Sequence, residues 1–437
     1  MSAPNGTISA QMAFALHLAE MDQYATADGA IYRWIETHWE PSRARDLERD
    51  AQAFVFYFCP AKANEKLAQS AVATAANHLP PLPRRAADEK TLIPTLNGYV
   101  EIDGESQELR PAAKEDGITY VLNCGYSPGA RCARFDDFLA EALPDEGVRD
   151  YLQEYAGYTL LGDTRHQLAA WLIGAGGTGK GTFAIIMQAL HRRTVALSLD
   201  ALDGFKLAGL PGASLVFVDE TPTGRIDEQR IKTLVSGDTM QVDIKYRDPL
   251  TIRPTAKWIV NGNALPAISD HSSGFWRRWL IFPFEVVPSK KQPLLAEHII
   301  EAELSGVLNW ALAGLRRLLA RGQFPDLPPA MQRAQNEGRQ ESNSVLGWCE
   351  DQEIEIATDG TSVPKPLVYQ RYASWCSANG LKSVSSINFW RRMVAALPGL
   401  EHSQRRSLTG RQRTVNLVLP DEAEACNAAQ YFGASGG

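Results

Sequence analysis

Three short apolar runs near the middle of the chain each stop at polar residues. Residues 170–173 (AWLI) run into the glycine loop GAGGTGKGTF, residues 215–218 (LVFV) into Asp219 and Glu220, and residues 257–260 (KWIV) into Asn261, Gly262 and Asn263. Runs this short, apolar and β-branched predict strands buried on both faces of a parallel sheet. Ligands of such sheets sit beyond the carboxyl ends of the strands, which is where these polar residues fall.

On either side the pattern is mostly helical. Residues 1 to about 90 are rich in helix formers, with Trp34, Trp39, Phe54, Phe56, Tyr57 and Phe58 as expected core anchors. The Pro-rich piece LPPLPRR (79–85) reads as a linker, GYVEID and ITYVL as strands, and 135–160 as helical. The apolar stretch 294–319 carries Glu297, Glu301, Glu303, Arg316 and Arg317, which predicts an amphipathic helix pair and not a membrane span. A Pro- and Gln-rich loop is expected over 324–344. Beyond it come a helix from about Pro366 and a second helix, SSINFWRRMVAAL, capped by Ser385 or Ser386. The apolar face of that second helix would be Phe389, Trp390, Met393, Val394 and Leu397. A basic ribbon, SQRRSLTGRQRTVNLVL, then turns at TG, and the tail from 421 is expected to fray.

Composition changes this picture in two places. The formal net charge of −7 hides a basic segment. Residues 361–420 hold nine Lys/Arg against one acid, 9 − 1 = +8, a local patch that attracts phosphate backbones. The six cysteines form no C-x-x-C pair, so neither a zinc site nor a disulfide framework is indicated. With no signal-peptide pattern at the N-terminus, a reducing cytoplasm is the expected compartment, in a bacterial host or phage-infected cell.

The chemistry lies in the loops. Gly174, Gly177, Thr178, Gly179, Lys180, Gly181 and Thr182 form a phosphate-binding loop after a strand and before a helix. Backbone amides at the helix start, with the Lys180 ammonium, would cradle the phosphates of ATP or another NTP. Asp219, 219 − 180 = 39 residues after that lysine, would hold Mg2+, and Glu220 would activate the attacking water. Asn263 is a candidate γ-phosphate sensor, or simply a turn cap in NGNALP. Arg277 and Arg278 precede a strand. They read either as a surface pair or as residues that reach a neighbouring subunit's nucleotide. The residue after Lys180 is Gly181, where a magnesium-binding hydroxyl is usual. Thr182 lies about 100° further round a helix and does not automatically replace it.

Together, GAGGTGKGTF, LVFVDET, VSGDTMQVDIKYRDP, IVNGNALP and GFWRRWLIFPF resemble a superfamily 3 helicase, most of all the helicase half of the phage, plasmid and poxvirus-type primase-helicases. The likeness runs from about Leu92 to Arg317. It implies a multidomain α/β protein with a P-loop, AAA+-like ATPase core (146–288) behind a helical N-terminal collar (1–145). A helical lid and linker (289–345), a winged-helix-like DNA-binding domain (346–420) and a flexible tail (421–437) would follow. It also implies a ring, expected to be a hexamer, that translocates 3′ to 5′ on single-stranded or forked DNA. Glu220 and Asp219 take the Walker B roles, Asn263 the sensor, and Arg278 the arginine finger, with Arg277 as second candidate. A hairpin between Walker B and sensor would present Lys245, Tyr246 and Arg247 to DNA. Arg391, Arg392, Arg405, Arg406, Arg411 and Arg413 would meet it from the C-terminal domain, unless that domain docks protein instead. No primase motif is visible, so primer synthesis is not expected, and a separate primase or loader is a candidate partner. The rival readings are an origin-binding initiator that uses nucleotide only to assemble, favoured by Gly181, and a packaging or signalling ATPase, disfavoured by the hairpin.

Overall fold

The three apolar runs are strands of one sheet. Its members are β1 (Ala169–Ile173), β2 (Thr194–Ala196), β3 (Leu215–Val218), β4 (Lys257–Gly262) and β5 (Trp279–Pro283). All pairings are parallel, in the order β5-β1-β4-β3-β2. β1 therefore lies between β4 and β5, with Leu172 in register with Asn261 on one side and Phe282 on the other. The strands are apolar because both faces are covered. Trp171, Trp258 and Trp279 are fully buried, and the Trp171 and Trp279 ring centroids lie 4.3 Å apart. Burying each such side chain contributes about 3 kcal/mol.

The computed structural model describes residues 8–27, 29–85, 90–222, 226–244, 249–266, 268, 273–288, 292–342, 344–379, 381, 383–407 and 410–419. The chain divides into two units, residues 1–264 with 273–332 and residues 265–272 with 333–437.

In the first unit, helices Glu146–Thr159 and Leu295–Arg321 cross over the sheet and share its core through Tyr155, Leu172, Phe282, Leu312 and Leu315. The crossing is close because glycines make it. A Cβ at Gly157 would collide with the backbone of Ala311 and Leu315, and one at Gly314 with that of Gln153 and Glu154. Beside the crossing, the buried Glu154 carboxylate accepts from Arg317 (3.3 Å) and Arg321. The expected helix pair over 294–319 is thus one uninterrupted 27-residue helix. Its Glu297, Glu301 and Arg316 face solvent, while Glu303 accepts from the Arg134 and Phe135 amides and so caps helix Ala133–Ala142.

The N-terminal part is less purely helical than its composition suggests. Helices Ala10–Glu20, Ala44–Phe58 and Glu65–His78 accompany two antiparallel three-stranded sheets, Tyr24–Ala27/Ala30–Trp34/Trp39–Pro41 and Thr91–Thr95/Gly98–Ile102/Gln107–Arg110. Of the expected anchors Trp39 is buried and Trp34 and Phe54 half-buried, but Phe56, Tyr57 and Phe58 are exposed. Leu47, Ala51 and Val55, at i, i+4, i+8, set the inward face of their helix, and the aromatic run falls off it. ITYVL is no strand; only Leu122 makes a bridge, to His191. Nor is LPPLPRR a free linker. Leu79 is buried, the Thr26 amide donates to Pro80 O (2.8 Å), and the Leu82 amide donates to Thr26 O (2.9 Å).

The second unit has its own core of Val345, Trp348, Val368, Tyr372, Phe389, Met393, Val415 and Leu417. Helices Ser344–Asp351, Lys365–Ala378 and Ser386–Ala396 surround it, and hairpin His402–Ser407/Gly410–Val415 adds a third strand at Val363–Pro364. Residues 329–342, expected as loop, are a helix begun by Pro329. Val394, expected on the apolar face, is 49% exposed, because Phe389 and Met393 already fill the core side.

Gly157→Ala should destabilise the first unit by about 1–3 kcal/mol, since helix backbone cannot yield as a side chain does. Denaturant melts against a Gly181→Ala control separate this close approach from helix propensity, because Gly181 is helical and nothing lies within 4 Å of a Cβ there.

Candidate nucleotide site

The glycine loop leaves β1 and turns into helix Lys180–Leu190. Gly177 (φ +83°) and Gly179 (φ +97°) hold the left-handed backbone that the tight turn needs and that a side chain would strain. Between them Thr178 is buried and donates to Ala175 O (2.9 Å). Lys180 folds back on its own loop. Its Nζ donates to the carbonyls of Gly174 (2.6 Å) and Ala175 (2.7 Å) and to Thr178 Oγ1 (3.3 Å). Burial lowers its pKa below the ordinary lysine value. An ammonium held only by neutral carbonyls gains from an anion brought to the loop.

Because β1, β3 and β4 are parallel, their carboxyl ends meet. Gly177, Thr178, Gly179, Lys180, Gly181 and Thr182 line one cavity of about 520 Å³ together with Asp219, Glu220, Asn261 and Asn263. Gly174 begins the loop at the end of β1. Phe138 and Glu141 wall the cavity from helix Ala133–Ala142, and Val287, Pro288, Gln292 and Leu295 do so from beyond β5. Asp219, Glu220 and Asn263 are exposed. The donor set is all oxygen, which suits magnesium. Among the described residues no three His, Cys, Asp or Glu cluster as metal ligands.

Two residues at this site were given no role of their own by the sequence reading. Asn261 is 5% exposed, lines the cavity, and leaves Oδ1 without a hydrogen-bond partner among the described residues. A buried orphan acceptor costs about 1–3 kcal/mol, so a bound donor at the cavity would relieve it. Its signal was a polar residue inside an apolar strand run. Thr221 is the second. Its Oγ1 accepts from Trp171 Nε1 (3.0 Å) and donates to Asn261 O (3.0 Å). One hydroxyl thus ties the loop after Glu220 to both β1 and β4.

Arg277 and Arg278 do not join this cavity. They precede β5, whose first residue pairs with the first residue of β1, so they lie at the amino edge of the sheet. The cavity lies at the carboxyl edge, about 16 Å away along five residues of strand. Arg278 is half-buried; its Nε donates to Ser236 Oγ (2.9 Å) and an Nη to Gly274 O. Burial, then the adjacent Arg277, lower its pKa. Arg277 is exposed.

Of the candidate DNA contacts, the antiparallel pair Met240–Val242/Leu250–Ile252 forms the base of a hairpin. Lys245, Tyr246 and Arg247 lie outside the described residues. In the second unit Arg391 and Arg413 are exposed and Arg392 is half-buried. Arg405, Arg406 and Arg411 occupy strand positions of the hairpin, and their side chains fall outside the description.

Residues 14–144 match the family described as D5 N terminal like, and residues 340–417 the one described as Poxvirus D5 protein-like. By these two matches the chain is similar to D5-type primase-helicases. Between them, residues 172–278 match a family of unknown function, DUF5906. "Putative helicase 022R" of Frog virus 3 (isolate Goorha) is 24% identical over 306 residues, 64% of this chain and 31% of its own length. "Putative helicase L207/L206" of Acanthamoeba polyphaga mimivirus is 23% identical over 216 residues, 46% and 22% of the two chains. The chain therefore spans less than a third of either relative. In fold it is similar to the apo NrS-1 C-terminal region, with a TM-score of 0.52 at 11% identity, covering 92% of this chain and 99% of that one. A second structure of that region, residues 305–718, also gives 0.52. No helix among the described residues is long and apolar enough to cross a membrane.

A Cβ at Gly181 would meet no atom within 4 Å, so a hydroxyl fits there. Gly181→Ser should lower the magnesium concentration for half-maximal hydrolysis about three- to tenfold, the worth of one polar contact of about 0.5–1.5 kcal/mol. A magnesium titration at fixed ATP measures it.

Proposed function

We propose that this chain is the subunit of an ATP-driven DNA helicase serving replication of a phage, plasmid or integrated element. It would work as a ring, hexameric by the family resemblance, moving 3′ to 5′ on one strand. The observation that carries the reading is the single cavity in which the glycine loop, two carboxylates and two asparagines converge, with an arginine pair at the far edge of the same sheet. The strand order β5-β1-β4-β3-β2 supports an AAA+-like, superfamily 3 core.

In this reading the loop amides and Lys180 grip the β- and γ-phosphates, with Lys180 leaving its carbonyl partners to do so. Asp219 and Thr182 hold magnesium through its waters; the cation neutralises charge on the phosphates. Glu220 orients and deprotonates the attacking water. Asn263 and the buried Asn261 report the γ-phosphate to β4. The arginines, about 16 Å from their own cavity, serve the neighbouring subunit's nucleotide. Exposure favours Arg277 as the finger and the pinned Arg278 as its anchor. In the second unit, three helices and a two-stranded ribbon are consistent with a winged helix in which Arg391 and Arg413 face DNA, the others meeting phosphates. A primase or loader would be recruited separately.

Gly181 supports a second reading, an initiator that assembles on DNA with nucleotide and turns over weakly. ATP hydrolysis titrated with single-stranded DNA, with Lys180→Ala as blank, decides between them. Stimulation by DNA that vanishes in the variant is expected; turnover at the blank's level with nucleotide still bound would leave the initiator. Arg277→Ala should cut turnover about a thousandfold with nucleotide affinity unchanged. Mixing it with Lys180→Ala subunits should recover part of the rate, because each then supplies what the other lacks.

A further inference from the structure

A second cavity, of about 860 Å³, lies in the first unit between the N-terminal sheet and the amino edge of the core sheet. It shares no lining residue with the nucleotide cavity. Arg192 and Arg193 reach it from just past the end of helix Lys180–Leu190, an 11-residue helix that puts about 16 Å between them and the glycine loop. Arg33 enters from strand Ala30–Trp34, and Arg43 and Arg45 from the start of helix Ala44–Phe58.

The charge around it is unbalanced. Among the described residues none of these five arginines makes an ion pair, and all five are exposed. Three acids line the same cavity. Asp46 and Asp50, however, already face Arg49 at 3.6 and 3.9 Å, and Arg49 is not part of the lining. With Arg49 counted, six guanidinium groups stand against three carboxylates, 6 − 3 = +3. Burial holds the lining His38 neutral by lowering its pKa to about 4, with Arg192 pushing the same way and Glu40 opposing.

The walls are fixed rather than loose. The Asn123 amide donates to Leu190 O (2.8 Å), and His191 Nδ1 shares a hydrogen bond with Ser214 Oγ (2.9 Å), which seats the turn bearing Arg192 and Arg193. The Trp39 amide donates to Ile118 O (2.8 Å) and Tyr99 hydroxyl to Thr37 O (2.7 Å), which seats the strand side. Like charges held together on a rigid frame repel until an anion joins them, and arginine forks match phosphate oxygens in pairs. The five arginines come from three separate elements of the lining, so they suit several linked phosphates. Tyr24, with Arg33 5.9 Å from its ring centroid, is buried.

We propose that this cleft binds the phosphate backbone of a nucleic-acid strand, independently of sequence and of bound nucleotide. It is a contact separate from the hairpin and from the C-terminal arginines.

The test is fluorescence anisotropy of a labelled mixed-sequence single strand, without ATP, across a salt series. Arg192→Glu with Arg193→Glu should weaken binding at least tenfold. It should also reduce the slope of log K against log salt by about 1.4, for two contacts at about 0.7 each. Arg192→Gln with Arg193→Gln should fall between, and binding of a fluorescent ATP analogue should not change in either. Unaltered affinity and slope would overturn the proposal. So would thermal stabilisation by inorganic pyrophosphate that disappears in the variants while strand binding persists, since the cleft would then be a free-phosphate site. Lys180→Ala, which stops the motor, should leave this binding intact, so failure here and failure of the helicase reading are told apart.

Discussion

The parallel pairing of β1 with β4 on one side and β5 on the other is the constraint on which the rest of the structure depends. In a parallel sheet all carboxyl ends share one edge, so a glycine loop, a carboxylate pair and an asparagine turn scattered over some ninety residues must open onto the same space. A slip of one residue in any pairing would turn every side chain of that strand to the other face. Burial of Trp171, Trp258 and Trp279 opposes such a slip, as does the hydroxyl of Thr221 between Trp171 Nε1 and Asn261 O. The cavity edge is therefore positioned by the core and not by the loops themselves.

The same register separates two kinds of chemistry. Anion-seeking backbone and acidic groups occupy the carboxyl edge. Guanidinium groups occupy the amino edge, Arg277 and Arg278 before β5 and Arg192 and Arg193 before β2. In the proposed motor a subunit's own arginines would lie too far from its own cavity, and a copy turned so that one amino edge meets another's cavity would complete the set, which is why a ring suits that reading.

Much of this was legible in the sequence because it rests on short-range patterns. The three strands, the loop, the acidic pair, and the closing helices and ribbon were all marked by apolar period or turn chemistry. What escaped depends on long-range partners. Nothing local distinguishes Phe56, Tyr57 and Phe58 from core aromatics, since which face of their helix is inward is decided by Leu47, Ala51 and Val55 meeting other helices. Charges in residues 294–319 suggested a break, but Glu303 and Arg317 are spent on caps and ion pairs more than 160 positions earlier in the chain. Lys257 opened an apparently apolar strand and gave no warning of full burial. Its ammonium donates to Leu161 O and Thr255 O, and burial pulls its pKa down to about 7.

Gly181 is the place where sequence and structure pose the same problem from different sides. The pattern lacks a hydroxyl, and the fold leaves its space open instead of filling it with another residue. The other parts of the site stand around that space: the loop has left-handed glycines, Lys180 is held within reach, Asp219 and Glu220 line the cavity, and Thr221 fixes the turn that carries them. Each of these costs something to maintain: backbone strain avoided only by glycine, a desolvated lysine, a buried asparagine with an unmet acceptor. Such costs are offset only when a charged ligand fills the site. In the proposed function, a water beside Gly181 would leave the nucleotide bound and its magnesium less tightly held, which would make the metal the weakest contact of the site.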